Sequence, residues 1–226
     1  MEVRDRLALA LDVDDLVVAL RLAKRLKPWF GTVKVGLELF CASGPDAVAS
    51  MLDSGFAVFV DLKLHDIPTT VRRSARVVGA FGASYLTLHA HGGEEMLRAG
   101  VVGLTEGAES AGLAPPVAVA VTVLTSDAES PADLLGARVT TAAAAGCGAI
   151  VCAAGDVGAA KELAPRMLAV VPGIRLPGAD THDQARAATP RQALDAGADL
   201  LVIGRAVTAA ADPAAAAAAI TESVVG

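Results

Sequence analysis

Asp61 and Lys63 stand two residues apart at the end of an apolar run, and Asp66 follows three residues later. On an extended strand, residues i and i+2 project to one face. A carboxylate, an ammonium and a second carboxylate grouped in this way suit proton delivery, because a flanked lysine stays charged and can hand over its proton. A fixed carboxylate beside it can be set against a substrate anion when binding energy gained elsewhere offsets the repulsion. A further lysine lies inside the run Val33-Lys34-Val35-Gly36. The chain has five lysines against fourteen arginines, yet Lys34 and Lys63 both fall in strand-like segments. An ammonium is costly there unless it is paired. The alternative is a buried ion pair that only holds the fold.

A second group has anion-binding chemistry. Gly204-Arg205 follows an apolar run, and Gly173 and Arg175 stand thirty residues earlier. Backbone N–H groups beside glycine and the forked guanidinium of arginine together make a phosphate grip. Arg205 read alone is a surface charge at the start of a helix. His89 and His91 flank Ala90; a metal there would need a third ligand, for which Asp61 is the nearby candidate. Hydrogen-bonded histidines at a strand end are the plainer reading, and no metal is assigned. The dinucleotide, P-loop and nucleophile-elbow fingerprints are absent from the sequence.

These residues need a scaffold that brings strand ends together. Short apolar runs recur at 7–11, 32–36, 57–62, 84–89, 117–124, 149–153, 168–171 and 200–203, with helical stretches at about 14–26, 45–53, 68–80, 93–110, 131–145, 156–164, 189–196 and 212–224. The runs are near-continuous rather than alternating, as in parallel strands buried on both faces. Eight strand–helix units in 226 residues predict a closed (β/α)8 barrel spanning 1–226 as one domain, ahead of an open doubly wound sheet. Asp12, Lys34, Asp61, Lys63, His89, Thr125, Arg175 and Arg205 all fall at or near C-terminal strand ends, the face of such a barrel that carries chemistry. With 54% hydrophobic and 19% charged residues, the composition excludes disorder. A net charge of −6 and 3% aromatic residues argue against nucleic-acid binding. No apolar run is long enough to span a membrane, and no signal-peptide pattern opens the chain. The odd count of three cysteines, Cys41, Cys147 and Cys152, without C-x-x-C spacing fits a reducing cytoplasm.

The sequence also resembles the orotidine 5′-phosphate decarboxylase family. The resemblance rests on Leu9-Ala10-Leu11-Asp12, Val33-Lys34-Val35-Gly36, the block from Asp61-Leu62-Lys63 through His65-Asp66-Ile67-Pro68, Val121-Thr122-Val123-Leu124-Thr125-Ser126, Pro172-Gly173-Ile174-Arg175, Asp183-Gln184 and Val202-Ile203-Gly204-Arg205. These follow the family's order over residues 9–205, and His65 with the P-G-I-R and D-Q segments is more similar to the bacterial branch.

The resemblance implies a homodimeric lyase that converts orotidine 5′-monophosphate to uridine 5′-monophosphate without metal or cofactor. It implies that Lys34, Asp61, Lys63 and Asp66 form the charged catalytic array, with Asp66 acting in the partner's site and Lys63 protonating C6 of the pyrimidine. Asp12 and Lys34 would bind the ribose, and Ile67 and Thr70 would border the partner's site. Thr125 would contact the pyrimidine. Arg175, Gln184, Gly204 and Arg205 would hold the 5′-phosphate, and 176–184 would form a closing loop. Magnesium-dependent sister enzymes that act on sugar phosphates share the D-x-K-x-x-D strand end but carry Glu where this chain has Lys34. A non-catalytic phosphate-binding barrel is the remaining alternative, and it gives no reason for the charged array.

Overall fold

A computed structural model of the chain describes residues 2–123, 132–176 and 186–225. The short β-branched and aliphatic runs form eight strands: β1 (Leu7–Ala10), β2 (Thr32–Gly36), β3 (Ala57–Leu64), β4 (Tyr85–His89), β5 (Val117–Val121), β6 (Ala149–Val151), β7 (Leu168–Val171) and β8 (Leu200–Ile203). Each is parallel to its neighbours in chain order, and β8 pairs back to β1, so that Leu9 lies opposite both Val33 and Ile203. Closure leaves no unpaired sheet edge. The predicted (β/α)8 barrel is therefore the observed architecture.

The connecting helices are α1 (Leu16–Leu26), α2 (Leu37–Ser43), α3 (Pro45–Asp53), α4 (Pro68–Gly79), α5 (Gly93–Ser110), α6 (Ala132–Ala145), α7 (Val157–Leu163), α8 (Pro190–Asp195), α9 (Arg205–Thr208) and α10 (Pro213–Val225). Their starts carry ordinary capping chemistry. The Asp15 carboxylate accepts from the Val18 N–H at 2.8 Å, and Asp212 accepts from the Ala214 N–H at 3.0 Å. Thr189 and Gln192 form a reciprocal capping box. α4 and α5 approach so closely that a Cβ on Gly103 would lie 2.2 Å from the Arg72 carbonyl oxygen. Only glycine permits that approach, which fixes the helix that follows β3.

Alternation along the strands separates two apolar layers. One face of each strand packs on the helices, through Leu9, Val33, Val35, Leu86 and Leu88 among others. The other fills the barrel with Ala8, Ala10, Phe59, Val119, Ala149, Val170, Leu200 and Val202. The small side chains of β1 and β6 make room for Phe59, whose ring meets Tyr85 edge-on with centroids 5.6 Å apart. Two residues further along this inward face, β3 presents Asp61 and β4 presents Thr87, both buried.

Two helices depart from the sequence expectation. α2 is a seven-residue helix set between Gly36, which is extended, and Gly44, at φ 58°. Its run is too short to show a helical period. α9 is a single turn after β8. β3 also continues to Leu64, past the expected end at 62, because its pairing with β4 shifts register between Val60 and Leu64. β5 leaves its ladder at Val121, before the expected 124; the Thr122 N–H still donates to the Val151 carbonyl at 3.2 Å.

Candidate active site

The C-terminal mouth of the barrel opens into a cavity of about 310 Å3, within the range of small-molecule sites. Its sides differ in chemistry. Asp12, Lys34, Asp61 and Lys63 form a charged wall on the β1–β3 side, and Val121, Val151, Val170 and Val202 form an apolar wall. Gly173, Arg175, Gly204 and Arg205 line the remaining side.

Asp61 is the hub of the charged wall. Lys63 Nζ donates to its Oδ1 at 2.9 Å, and Lys34 Nζ lies 3.3 Å from its Oδ2. Lys34 Nζ also donates to Asp12 Oδ1 at 3.1 Å. Burial opposes the Lys34 ammonium, but the carboxylates of Asp61 and Asp12 outweigh it and hold the group above the usual lysine range. Burial likewise opposes charge on Asp61; the ammonium groups of Lys34 and Lys63 and hydrogen bonds from Lys63 and Thr87 hold it below the usual carboxylate range. The side chains of Lys34 and Asp61 are 11% and 12% exposed, whereas that of Lys63 is 34% exposed and reaches the cavity. The wall is thus an alternating chain of charges, Asp12, Lys34, Asp61 and Lys63, with its accessible ammonium at one end.

Lys63 owes its place to the backbone. Among the described residues it is the one non-glycine at positive φ, 50°, and it lies within the register shift of β3. A β-bulge re-aims side chains at barrel rims. Thr87 secures the turn. Its Oγ1 accepts from the Lys63 N–H at 2.8 Å and donates to Asp61 Oδ1 at 3.0 Å. Sequence reasoning missed Thr87. Its signal was a threonine set between two leucines in Tyr85-Leu86-Thr87-Leu88-His89, on the same face as Tyr85 and His89.

On the anion side, Arg175 is 7% exposed and its Nη1 donates to the Ile174 carbonyl at 2.7 Å. Gly173, at φ 76°, turns the chain after β7. The Arg175 N–H then donates to the Ala188 carbonyl at 2.9 Å, and the Ala188 N–H to the Gly173 carbonyl at 3.2 Å. These bonds clamp the P-G-I-R segment at the rim. Thr125 and Gln184 lie outside the described residues. Asp66, Ile67 and Thr70 are exposed and do not line the cavity. Among the described residues, the hydrogen bond to the Asp66 carboxylate comes from the next N–H, that of Ile67, at 2.6 Å.

His89 and His91 come near a third imidazole, His65, which sequence reasoning did not place with them. Ring centroids are 5.6 Å apart for His65–His89, 5.5 Å for His65–His91 and 6.3 Å for His89–His91. Among the described residues, no three His, Cys, Asp or Glu side chains converge as metal ligands would. Cys147 and Cys152 are buried free thiols, each pushed up to about 12 by burial. They are inert as nucleophiles. Among the described residues, no helix is long and apolar enough to cross a membrane.

Comparison with known proteins places the chain among its relatives. A relative from Nitratidesulfovibrio vulgaris, named orotidine 5′-phosphate decarboxylase, is 46% identical over 95% of both chains. One of the same name from Anaeromyxobacter dehalogenans is 45% identical, covering 97% of this chain and 98% of its own. The crystal structure of orotidine 5′-phosphate decarboxylase from Lactobacillus acidophilus superposes with a TM-score of 0.82 at 33% identity, covering 98% of this chain and 100% of that one. The model of the orotidine 5′-phosphate decarboxylase / HUMPS family matches residues 5–220, and this chain belongs to that family.

Proposed function

We propose that the chain decarboxylates orotidine 5′-monophosphate to uridine 5′-monophosphate in pyrimidine nucleotide synthesis, and that it does so without a metal or cofactor. The observation that carries this reading is the sharing of Asp61 between Lys34 and Lys63 in the barrel mouth. Family membership and the names of the relatives support the substrate.

The chemistry follows from the array. Breaking the C6–carboxylate bond releases carbon dioxide and leaves the electron pair on C6, where no π system delocalises it. Lys63 then gives its proton to C6, and its amine regains a proton from water. An ammonium fixed beside the developing carbanion stabilises it through preorganised charge. Asp61 holds that ammonium and stands near the departing carboxylate, so the repulsion it imposes is relieved as carbon dioxide leaves. Asp12 and Lys34 bind ribose hydroxyls, and Thr125 contacts the pyrimidine edge. Arg175, Gln184 and Arg205, with the Gly204 backbone, hold the 5′-phosphate. Phosphate binding is remote from the broken bond, so its energy can organise the site and raise rate as well as affinity.

Lys34 separates this reading from a magnesium-dependent sister activity. Its ammonium lies between Asp12 and Asp61, where a divalent cation would meet like charge. The working unit is a homodimer in which Asp66, with Ile67 and Thr70 beside it, completes the partner's site. In support, Asp66, Ile67 and Thr70 are exposed and lie outside the cavity of their own chain. A cytoplasmic location is supported by unpaired Cys147 and Cys152. The direct test is ultraviolet loss of orotidine 5′-monophosphate with EDTA present. Rapid formation of uridine 5′-monophosphate is expected. Turnover of a sugar phosphate that requires added magnesium, with none of the nucleotide, would overturn the reading.

A further inference from the structure

The mechanism leaves three imidazoles and one guanidinium unused at the mouth. Arg138, on α6, donates through Nη1 to the Thr122 carbonyl, at the root of the segment that leads to Thr125. Its Nη2 lies 3.3 Å from His91 Nδ1. A guanidinium has no acceptor, so a hydrogen bond here needs His91 Nδ1 as the acceptor. The His91 N–H in turn donates to His89 Nδ1 at 3.2 Å. A backbone N–H is also only a donor, so in this bond His89 Nδ1 is the acceptor. Each of these bonds requires Nδ1 to be the acceptor, which leaves the ring proton to Nε2. His65 stacks on His89 and meets His91 edge-on, and it sits in the turn between Lys63 and Asp66.

We propose that Arg138 is a positioning residue for the decarboxylation. Through His91 and the Thr122 carbonyl it ties the end of β4 to the end of β5, and His89 and His65 extend the tie to the β3 turn that carries Lys63 and Asp66. The inference rests on the proposed reaction for its kinetic consequence and on geometry alone for the tie. Acid breaks it, because a protonated Nδ1 can no longer accept. The charged and titratable groups facing His89 are Arg138 from α6, His65 and Lys63 from the β3 end, and His91 from the β4 end. Burial first, and then these charges, hold the His89 imidazole below the usual histidine range.

The test combines 1H–15N correlation of the imidazole nitrogens with pH profiles of kcat/KM for wild type, Arg138→Met and His91→Asn. The sequence has four histidines, which keeps the spectrum simple. At pH 7.5, His89 and His91 are expected to show bare Nδ1 and protonated Nε2. Arg138→Met removes the fork but keeps the stem. It is expected to lower kcat/KM about tenfold and to move the His89 titration and the acid limb of the profile upward by about half a pH unit. His91→Asn puts an amide oxygen in place of Nδ1 and is expected to stay within about threefold of wild type. If Arg138→Met does not fold, His91→Phe, which keeps the ring and removes the acceptor, carries the same kinetic expectation. Protonated Nδ1 on either ring, or wild-type kcat/KM with an unmoved acid limb in the variant that folds, overturns the proposal. If wild type fails to turn over the nucleotide, the reaction assignment falls, and the nitrogen shifts alone decide the tie.

Discussion

Lysine–aspartate ion pairs lie at both ends of the barrel. At the base, Lys161 Nζ donates to Asp199 Oδ2 at 2.6 Å and to the Met167 carbonyl at 2.8 Å, and the same carboxylate oxygen accepts from the Ala169 N–H at 2.7 Å. At the mouth, the side-chain bonds of Lys34 run to Asp12 and Asp61, and that of Lys63 runs to Asp61. The basal pair is anchored to main chain and stitches α7 to the starts of β7 and β8. The mouth array is charge held by charge around a cavity, with one ammonium reaching into it. Residue type does not distinguish a structural ion pair from a chemical one; the identity of the remaining hydrogen-bond partners does.

Substitutions at the two ends should therefore fail in different ways. Lys63→Ala should abolish turnover, a loss of at least about 10^4-fold, while melting temperature and affinity for the product nucleotide change little; retained turnover in the ultraviolet assay would remove Lys63 as proton donor. Subunit mixing extends the comparison across the dimer. Asp66→Asn and Lys63→Ala chains, each inactive alone, should on exchange recover about a quarter of the wild-type sites, because half the dimers are mixed and each of those has one intact site. No recovery, with exchange shown by mass spectrometry, would place Asp66 outside the partner's site.

Lys161→Met should do the opposite of Lys63→Ala. It should leave kcat/KM within about twofold at 25 °C and cost about 1 kcal/mol of stability in urea, since the pair is partly exposed and screened. A large kinetic defect would erase the distinction between the two ends. The smallest effect concerns pH. Asp61 is held below its ordinary value of 3.8, so its contribution to stability is present above that value and is lost as pH falls through its lower folded value. Lys34 is held above its ordinary value of 10.5, so its contribution is present below that value and is lost as pH rises through its higher folded value. Asp61→Asn should weaken both the acid and the alkaline edge of the melting-temperature profile.

Much of this was legible in the residues. The apolar runs marked the strands, and the polar residues closing seven of the eight runs marked the working face, because a closed parallel barrel gathers all its C-terminal ends together. Asp12, Lys34, Asp61 and Lys63 meet for that reason. What was not legible depends on neighbours far along the chain. Thr87 matters only because the β3–β4 register sets it beside Asp61. His65 joins His89 through the turn after β3. α2 hid between two glycines in a run too short to show a period. The two-residue spacing of Asp61 and Lys63 suggested a regular strand, whereas the pair shares the mouth through an irregular one.

That irregularity sets fitness against folding. Lys63 carries a side chain in a backbone conformation that costs about 1 kcal/mol more than it would for glycine. Lys63→Gly should therefore give a chain that folds at least as readily and does nothing. Variants screened only for solubility or heat tolerance would drift toward inert proteins at this codon, and only a screen that demands product would keep the lysine.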